Sequence, residues 1–183
     1  MSATAYVGLG ANLFDRAATL REAVRRIGAL PRTSVTRVSS LWETRPVGGP
    51  PGQPDFLNAA AALGTALEPE ALMEALLEIE RALGRARGPE RNGPRAIDLD
   101  LLLYGSLVLR GPRPPIVPHP RLAERAFVLA PLAEIAGDLA LPGGSGDTVR
   151  SLLARMDVSG VRVFGPSLSQ ASSQRGAASR ISR

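Results

Sequence analysis

Apolar and polar positions alternate through Ala5-Tyr6-Val7-Gly8-Leu9, which predicts a first strand, and Gly10-Ala11-Asn12 then turns the chain. Leu20, Ala23, Val24 and Ile27 recur at helical spacing and predict a helix with one apolar stripe. Residues 35–44 are rich in β-branched side chains and predict one long strand. Residues 47–54, Val-Gly-Gly-Pro-Pro-Gly-Gln-Pro, form a loop by composition. Residues 56–63 predict a strand returning beside the previous one. Pro69 suits the first turn of a second helix, whose apolar face is Leu72, Ala75, Leu76, Ile79 and Leu83, and Gly84 is placed to end it. Residues 85–95 form a second loop, and residues 97–104 a strong strand. The order βαββαβ is the split arrangement of ferredoxin-like folds, so the expected class is α+β, a mainly antiparallel sheet packed with helices. Residues 107–109 predict a hairpin partner, residues 128–136 and 149–156 two short helices, and residues 161–164 a last strand.

Composition limits the chemistry. The 183 residues suit one domain, and 44% hydrophobic content suffices for a core. Residues 165–183 hold almost no large apolar side chain, so a domain over 1–164 and a disordered tail over 165–183 are expected. The absence of cysteine excludes disulfides, zinc–thiolate sites and cysteine nucleophiles. The N-terminal residues lack a basic segment followed by an apolar run, and no apolar stretch approaches the ~20 residues of a membrane span, so a cytoplasmic, soluble protein is expected. The net charge is +5, but Arg175, Arg180 and Arg183 lie in the acid-free tail, and removing those three leaves +2 for the body. That small excess, with 4% aromatic content, argues against a nucleic-acid partner. All 22 basic residues are arginine, which excludes a P-loop lysine and Schiff-base chemistry. Phosphate here must be held by guanidinium forks, backbone amides or metal.

The richest stretch is Asn92-Gly93-Pro94-Arg95-Ala96-Ile97-Asp98-Leu99-Asp100-Leu101-Leu102. Strand alternation puts Asp98 and Asp100 on one face, about 6.6 Å apart, and Ile97, Leu99 and Leu101 on the other. Two such carboxylates repel unless a cation lies between them, and magnesium favours one or two carboxylates plus phosphate oxygens. A half-exposed strand with a solvated acidic face is an equal reading of that pair alone. Arg81, Arg85, Arg87, Arg91 and Arg95 lead directly into it, and guanidinium forks beside cation-binding acids are what a nucleotide triphosphate with Mg²⁺ requires. A basic loop after a solvated helix end explains any one of these arginines. An anion-binding ferredoxin-like module accounts for the fold and the arginines, but not for the two aspartates beside them.

Gly93-Pro94-Arg95, two residues, then Asp98-Leu99-Asp100 and aliphatics resembles the signature of the 6-hydroxymethyl-7,8-dihydropterin pyrophosphokinase family. The likeness covers about residues 5–157. It takes in Val7-Gly8-Leu9-Gly10-Ala11-Asn12-Leu13, Val38-Ser39-Ser40 with Glu43-Thr44, and Gln53-Pro54-Asp55-Phe56-Leu57-Asn58-Ala59. Ile79-Glu80, Gly84-Arg85, Val117-Pro118-His119 and Phe127-Val128-Leu129-Ala130-Pro131-Leu132 complete it.

The resemblance implies Mg²⁺-dependent transfer of diphosphate from ATP to the pterin hydroxymethyl oxygen, with AMP leaving. It implies two Mg²⁺ ions on Asp98 and Asp100. Arg85 and Arg95 match catalytic, triphosphate-binding and loop arginines, and Arg87 and Arg91 fall in the same ATP-binding loop. Glu80, Ile97, His119 and Arg125 match further ATP contacts. Phe56 and Phe127 match the two rings that stack on the pterin. Asn58, Thr44, Arg45, Pro46, Val47 and Asp98 match the rest of its site. A monomer with only small-molecule partners, ATP and the pterin, is expected. The chain departs from the pattern at Asn92, where tryptophan is common, and at Gly88, where a basic residue is. It also departs at Arg45, which follows Thr44 in place of proline, and at Pro120, which follows His119 in place of tyrosine. The two loops are expected to be mobile without ligand and to close over both substrates.

Overall fold

A computed structural model describes residues 2–85, 92–112, 114–144, 146–166 and 168. Strand β1 is Ala3–Ala11, and alternation buries Ala5, Val7, Leu9 and Ala11 on one face while Gly8 and Gly10 face the other way. The Asp15 carboxylate accepts from the Ala18 backbone N–H at 2.9 Å and so starts α1, Arg16–Gly28. Leu20, Ala23 and Ile27 form its buried stripe.

The segment expected to be one strand is two: β2, Thr33–Val38, and β3, Leu41–Thr44. The break has a local cause. The Ser39 N–H donates to the Ala60 carbonyl, while the Ser39 hydroxyl accepts from the Ala60 N–H, both at 2.9 Å. The Ser40 N–H and hydroxyl then turn to the Glu134 carboxylate. Both strands pair with β4, Phe56–Thr65. Helix α2, Pro69–Ala82, begins on proline, and Gly84 follows it at φ +84°, where a side chain would be strained. Strand β5 is Asp98–Tyr104.

The hairpin partner expected at 107–109 is only a bridge between Leu109 and Val117. A single 3-10 turn, Leu122–Glu124, leads into α3, Ala126–Ala136. Helix α4 is Val149–Leu153, shorter than the apolar pattern suggested and opened by a Thr148–Ser151 capping box. Strand β6, Val161–Gly165, pairs with β3. Leu168 is buried in the core, so the packed body extends past residue 164.

The sheet order is β5-β1-β4-β3-β6, with β2 also on β4, and every pairing is antiparallel. This is the ferredoxin-like arrangement expected from the element order. Helices α1 and α2 pack on one face over Val7, Leu9, Leu99 and Leu101; fully buried Leu72 and Leu76 each contribute about 1.5–3 kcal/mol there. Helices α3 and α4 cover part of the opposite face over Ala60, Ala62, Leu102 and Leu103. The Glu134 carboxylate also accepts from Trp42 Nε1 at 3.1 Å, and Arg37 donates to the Ile135 carbonyl at 2.6 Å, so α3 is stitched to β2 and β3. The uncovered remainder of that face, beside the start of α3, is the site. Among the described residues, no helix is long and apolar enough to cross a membrane.

Candidate active site

The floor of the site is β1 between β4 and β5. Gly10 lies opposite both Asn58 and Asp98, and Gly8 opposite Asp100. A side chain at Gly10 would bring its Cβ to 3.0 Å from Asn58 Oδ1, so glycine keeps the floor low. Over it opens a hollow that is open to solvent.

Strand β5 puts Asp98 and Asp100 in this hollow, while Leu99 and Leu101 go to the core behind. Asp98 is held from both sides, by Arg85 at 2.6 Å and Arg95 at 2.7 Å. Asp100 lies 3.5 Å from Arg125. Burial, then the Asp98 charge, pushes the Asp100 carboxyl above its ordinary range; His119, Arg125 and Arg85 pull the other way.

Glu80 holds the frame. It is 1% exposed, accepts from the Leu99 N–H at 2.6 Å and binds Arg85 directly. It therefore fixes the backbone between the two aspartates and aims Arg85, and its carboxylate is shut off from the hollow. Burial pushes its carboxyl up, opposed by the Leu99 N–H and Arg85. The Ile97 side chain is wholly buried in the core, so it does not reach the hollow either.

The aromatic positions are filled by guanidinium groups. Arg95 lies 5.4 Å over the Phe56 ring and Arg125 lies 5.5 Å over the Phe127 ring. The Nε atoms of Arg95 and Arg125 are buried without a hydrogen-bond partner among the described residues. Asn58 Nδ2 donates to Thr44 Oγ1 at 2.8 Å and leaves its carbonyl oxygen toward Gly10. Thr44, Arg45 and Val47 line the same hollow; Pro46, between them, does not.

Two amide side chains join the loops. Asn12 Oδ1 accepts from the Arg95 N–H at 2.7 Å, while Nδ2 donates to the Pro54 carbonyl at 3.2 Å. Gln53 Nε2 donates to the Gly48, Pro50 and Asn92 carbonyls. Arg87, Gly88 and Arg91 lie outside the described residues. His119 sits one step aside, lining a second hollow between residues 109–123 and 141–144. Its Nδ1 accepts from the Arg121 N–H at 3.2 Å, and burial holds its imidazole below the ordinary range against the pull of Asp100. The structure thus gathers Thr44, Arg45, Val47, Phe56, Asn58, Arg95, Asp98, Asp100, Arg125 and Phe127 around one hollow, with Arg85 on Asp98. Gly8, Gly10 and Arg121 also line it and were missed from sequence. For the glycines a signal existed, since alternation in β1 sets them opposite Val7 and Leu9.

Paired carboxylates among guanidinium groups, on the open face of a ferredoxin-like sheet, define a phosphate-handling transferase. A family profile described as 7,8-dihydro-6-hydroxymethylpterin-pyrophosphokinase (HPPK) matches residues 6–137. A 2-amino-4-hydroxy-6-hydroxymethyldihydropteridine pyrophosphokinase of Methylorubrum extorquens is 47% identical over 157 residues, covering 86% of this chain and 96% of the relative. One of Bacillus subtilis, of the same description, is 43% identical over 164 residues, 90% of this chain and 92% of that one. Among solved structures, an HPPK-DHPS in complex with substrates matches at TM-score 0.65 and 12% identity, over 84% of this chain and 43% of that longer one. Plasmodium falciparum wild-type HPPK-DHPS matches at TM-score 0.66 and 12% identity, over 85% of this chain and 45% of that one. These two likenesses are of fold. The chain belongs to the HPPK family, enzymes that transfer diphosphate from ATP to 6-hydroxymethyl-7,8-dihydropterin in folate synthesis.

Proposed function

We propose that Asp98 and Asp100 hold Mg²⁺ for this reaction and that the surrounding residues divide the two substrates between them. The carrying observation is the shared face of the two aspartates, each in contact with a guanidinium that also lies on an aromatic ring. The residues fit the ion. They offer carboxylate oxygens, and among the described residues no three His, Cys, Asp or Glu side chains gather, so phosphate oxygens and water would complete the shell. When bound, Mg²⁺ neutralises charge on the phosphates; two ions are our reading of the paired carboxylates.

Arg85, Arg95 and Arg125 now neutralise Asp98 and Asp100. On ATP binding they turn to the triphosphate, which also satisfies the orphaned Nε atoms of Arg95 and Arg125. Leaving the ring faces, they free Phe56 and Phe127 to sandwich the flat pterin, because a ring that holds a planar guanidinium also holds a planar heterocycle. Asn58 and Thr44 read the pterin edge with one donor and one acceptor each. The hydroxymethyl oxygen then attacks the β-phosphorus, the bond to the α-phosphate oxygen breaks, and AMP leaves. Catalysis here is positioning and charge neutralisation, and the segments 47–54 and 92–95 keep water from the reacting phosphorus. Glu80 serves by aiming Arg85.

The same reading has one domain working as a cytoplasmic monomer. Purified protein with ATP, Mg²⁺ and hydroxymethyl-dihydropterin should release AMP and form pterin diphosphate one for one. AMP release without the pterin, or none with it, would overturn the reading.

A further inference from the structure

Arg121 opens the 3-10 turn before α3 and is half-buried on the wall of the hollow that holds Asp98, Asp100, Arg95 and Arg125. Of the arginines beside the aspartate pair, Arg85 and Arg95 are committed to Asp98 and Arg125 to Asp100. The Arg121 guanidinium makes no ion pair or hydrogen bond among the described residues. Its charge nevertheless acts on its neighbours. Burial, then the Arg121 charge, pulls the Arg125 guanidinium below its ordinary value, and Arg121 also opposes protonation of His119. Two like charges thus face one hollow, and one of them, Arg125, has a buried Nε with no partner. Such an arrangement is costly when empty and is relieved by an anion.

We propose that Arg121 is a polyphosphate-binding residue that forms, with Arg125, a second anion clamp beside the aspartate pair. This rests on the diphosphate-transfer reading above and adds a contact to it. Two features suit Arg121 to the part. Its guanidinium need break no ion pair to take a phosphate oxygen, whereas Arg85 and Arg95 must first leave Asp98. Its backbone N–H also donates to His119 Nδ1, so the neutral imidazole keeps its proton on Nε2, where it is a donor. One residue thereby supplies a charge and sets the proton of the neighbouring ring. The chemistry recognised is a chain of phosphate groups, and it occurs both in ATP and in the pterin diphosphate product.

Calorimetric titration of the full-length protein tests this, with wild type, Arg121→Gln and Arg121→Lys. The probes are α,β-methylene-ATP with Mg²⁺, inorganic tripolyphosphate, inorganic diphosphate and the pterin alone. Arg121→Gln should bind the ATP analogue and tripolyphosphate about tenfold more weakly, which corresponds to about 1.4 kcal/mol. Its affinity for both should depend less steeply on salt, and its pterin affinity and melting temperature should stay at wild-type values. Arg121→Lys should fall between, since it keeps the charge and loses the fork. Loss with diphosphate as large as with the ATP analogue assigns the clamp to the transferred group; loss shared by the analogue and tripolyphosphate but not diphosphate assigns it to the triphosphate chain of the nucleotide. Either result upholds a polyphosphate contact. Arg121→Gln binding the analogue within twofold of wild type would overturn the proposal and leave the reaction assignment intact. A wild-type protein that binds no ATP analogue would overturn both. Should Arg121→Gln not fold, Arg121→Lys binding every probe as wild type does would overturn the clamp.

Discussion

Gly10→Ala probes the construction of the pterin slot without replacing any group that contacts substrate. The added Cβ would lie 3.0 Å from Asn58 Oδ1 and 3.9 Å from Phe56 Cδ1, so Asn58 must retreat by a few tenths of an ångström. Asn58 is buried and its Nδ2 donates to Thr44 Oγ1 at 2.8 Å, so the retreat distorts that bond. A neutral hydrogen bond is worth about 0.5–1.5 kcal/mol net, which sets the expected loss in pterin affinity at roughly two- to twelvefold. Stability should barely move. Gly10 is not at positive φ, so alanine fits the backbone, and replacing a strand glycine recovers about 0.5–1 kcal/mol of chain entropy against the strain. Titration with the pterin, in the presence of an ATP analogue and Mg²⁺, reads the affinity; a thermal melt reads the fold. Pterin binding equal to wild type, or an equal loss for pterin and ATP analogue, would refute this account of the slot.

Asp98→Ala and Asp100→Ala should each abolish AMP release while leaving a cooperative melt; near-normal turnover in either would remove it from the metal site. Phe127→Ala should weaken pterin binding by about 1–3 kcal/mol, and far more than ATP binding, because it removes one side of a stack; equal loss for both would leave the ring a packing role only. Gln53→Ala should speed hydrogen exchange in residues 47–54 and 92–95 together, since one side chain bonds carbonyls in both; faster exchange in only one loop would deny the coupling. The Glu43 carboxyl is held below its ordinary range by its Arg162 hydrogen bond, with Arg16 adding to it and burial opposing. A lowered carboxyl contributes stability above its unfolded value near 4.5 and loses it as pH falls through the folded value. The melting-temperature gap between wild type and Glu43→Gln should therefore be widest near pH 7 and narrow progressively as pH falls below 4.5; a gap that widens in acid would contradict it.

Much of the architecture is written in local pattern, because strand alternation and helical stripes depend on near neighbours. Asp98-Leu99-Asp100 could be assigned a shared face from spacing alone, and the loop at 47–54 from its glycines and prolines. The break at Ser39 and Ser40 could not, because it is made by Ala60 and Glu134, distant in sequence. Leu107-Val108-Leu109 reads as a strand but finds only one bridge partner. Glu80 and Ile97 match nucleotide contacts by position, and their side chains are buried and do not line the hollow of the two aspartates. Arg121 was invisible as a site residue because the 3-10 turn, which carries no periodic signal, decides where it lies. Composition placed the end of the body at 164; Leu168, a lone apolar residue in a polar run, packs into the core. Truncation after 164 should accordingly lower the melting temperature, and Leu168→Ala should reproduce part of the drop.

The seam between α3 and β3 also has a spectroscopic consequence. The chain contains a single tryptophan, and Trp42 donates its indole N–H to Glu134 of α3. The same strand carries Thr44, and the same helix begins at Arg125 and Phe127. Intrinsic emission therefore reports one place in the molecule, the seat of α3 against the sheet beside the active site. A ligand that draws Arg125 and Phe127 inward shifts that seat and changes the emission, whereas a ligand held only by the loops leaves it dark. Glu134→Gln weakens the indole contact and calibrates the signal. Substrate binding at the start of α3 should thus be traceable in unlabelled protein with a stopped-flow fluorimeter.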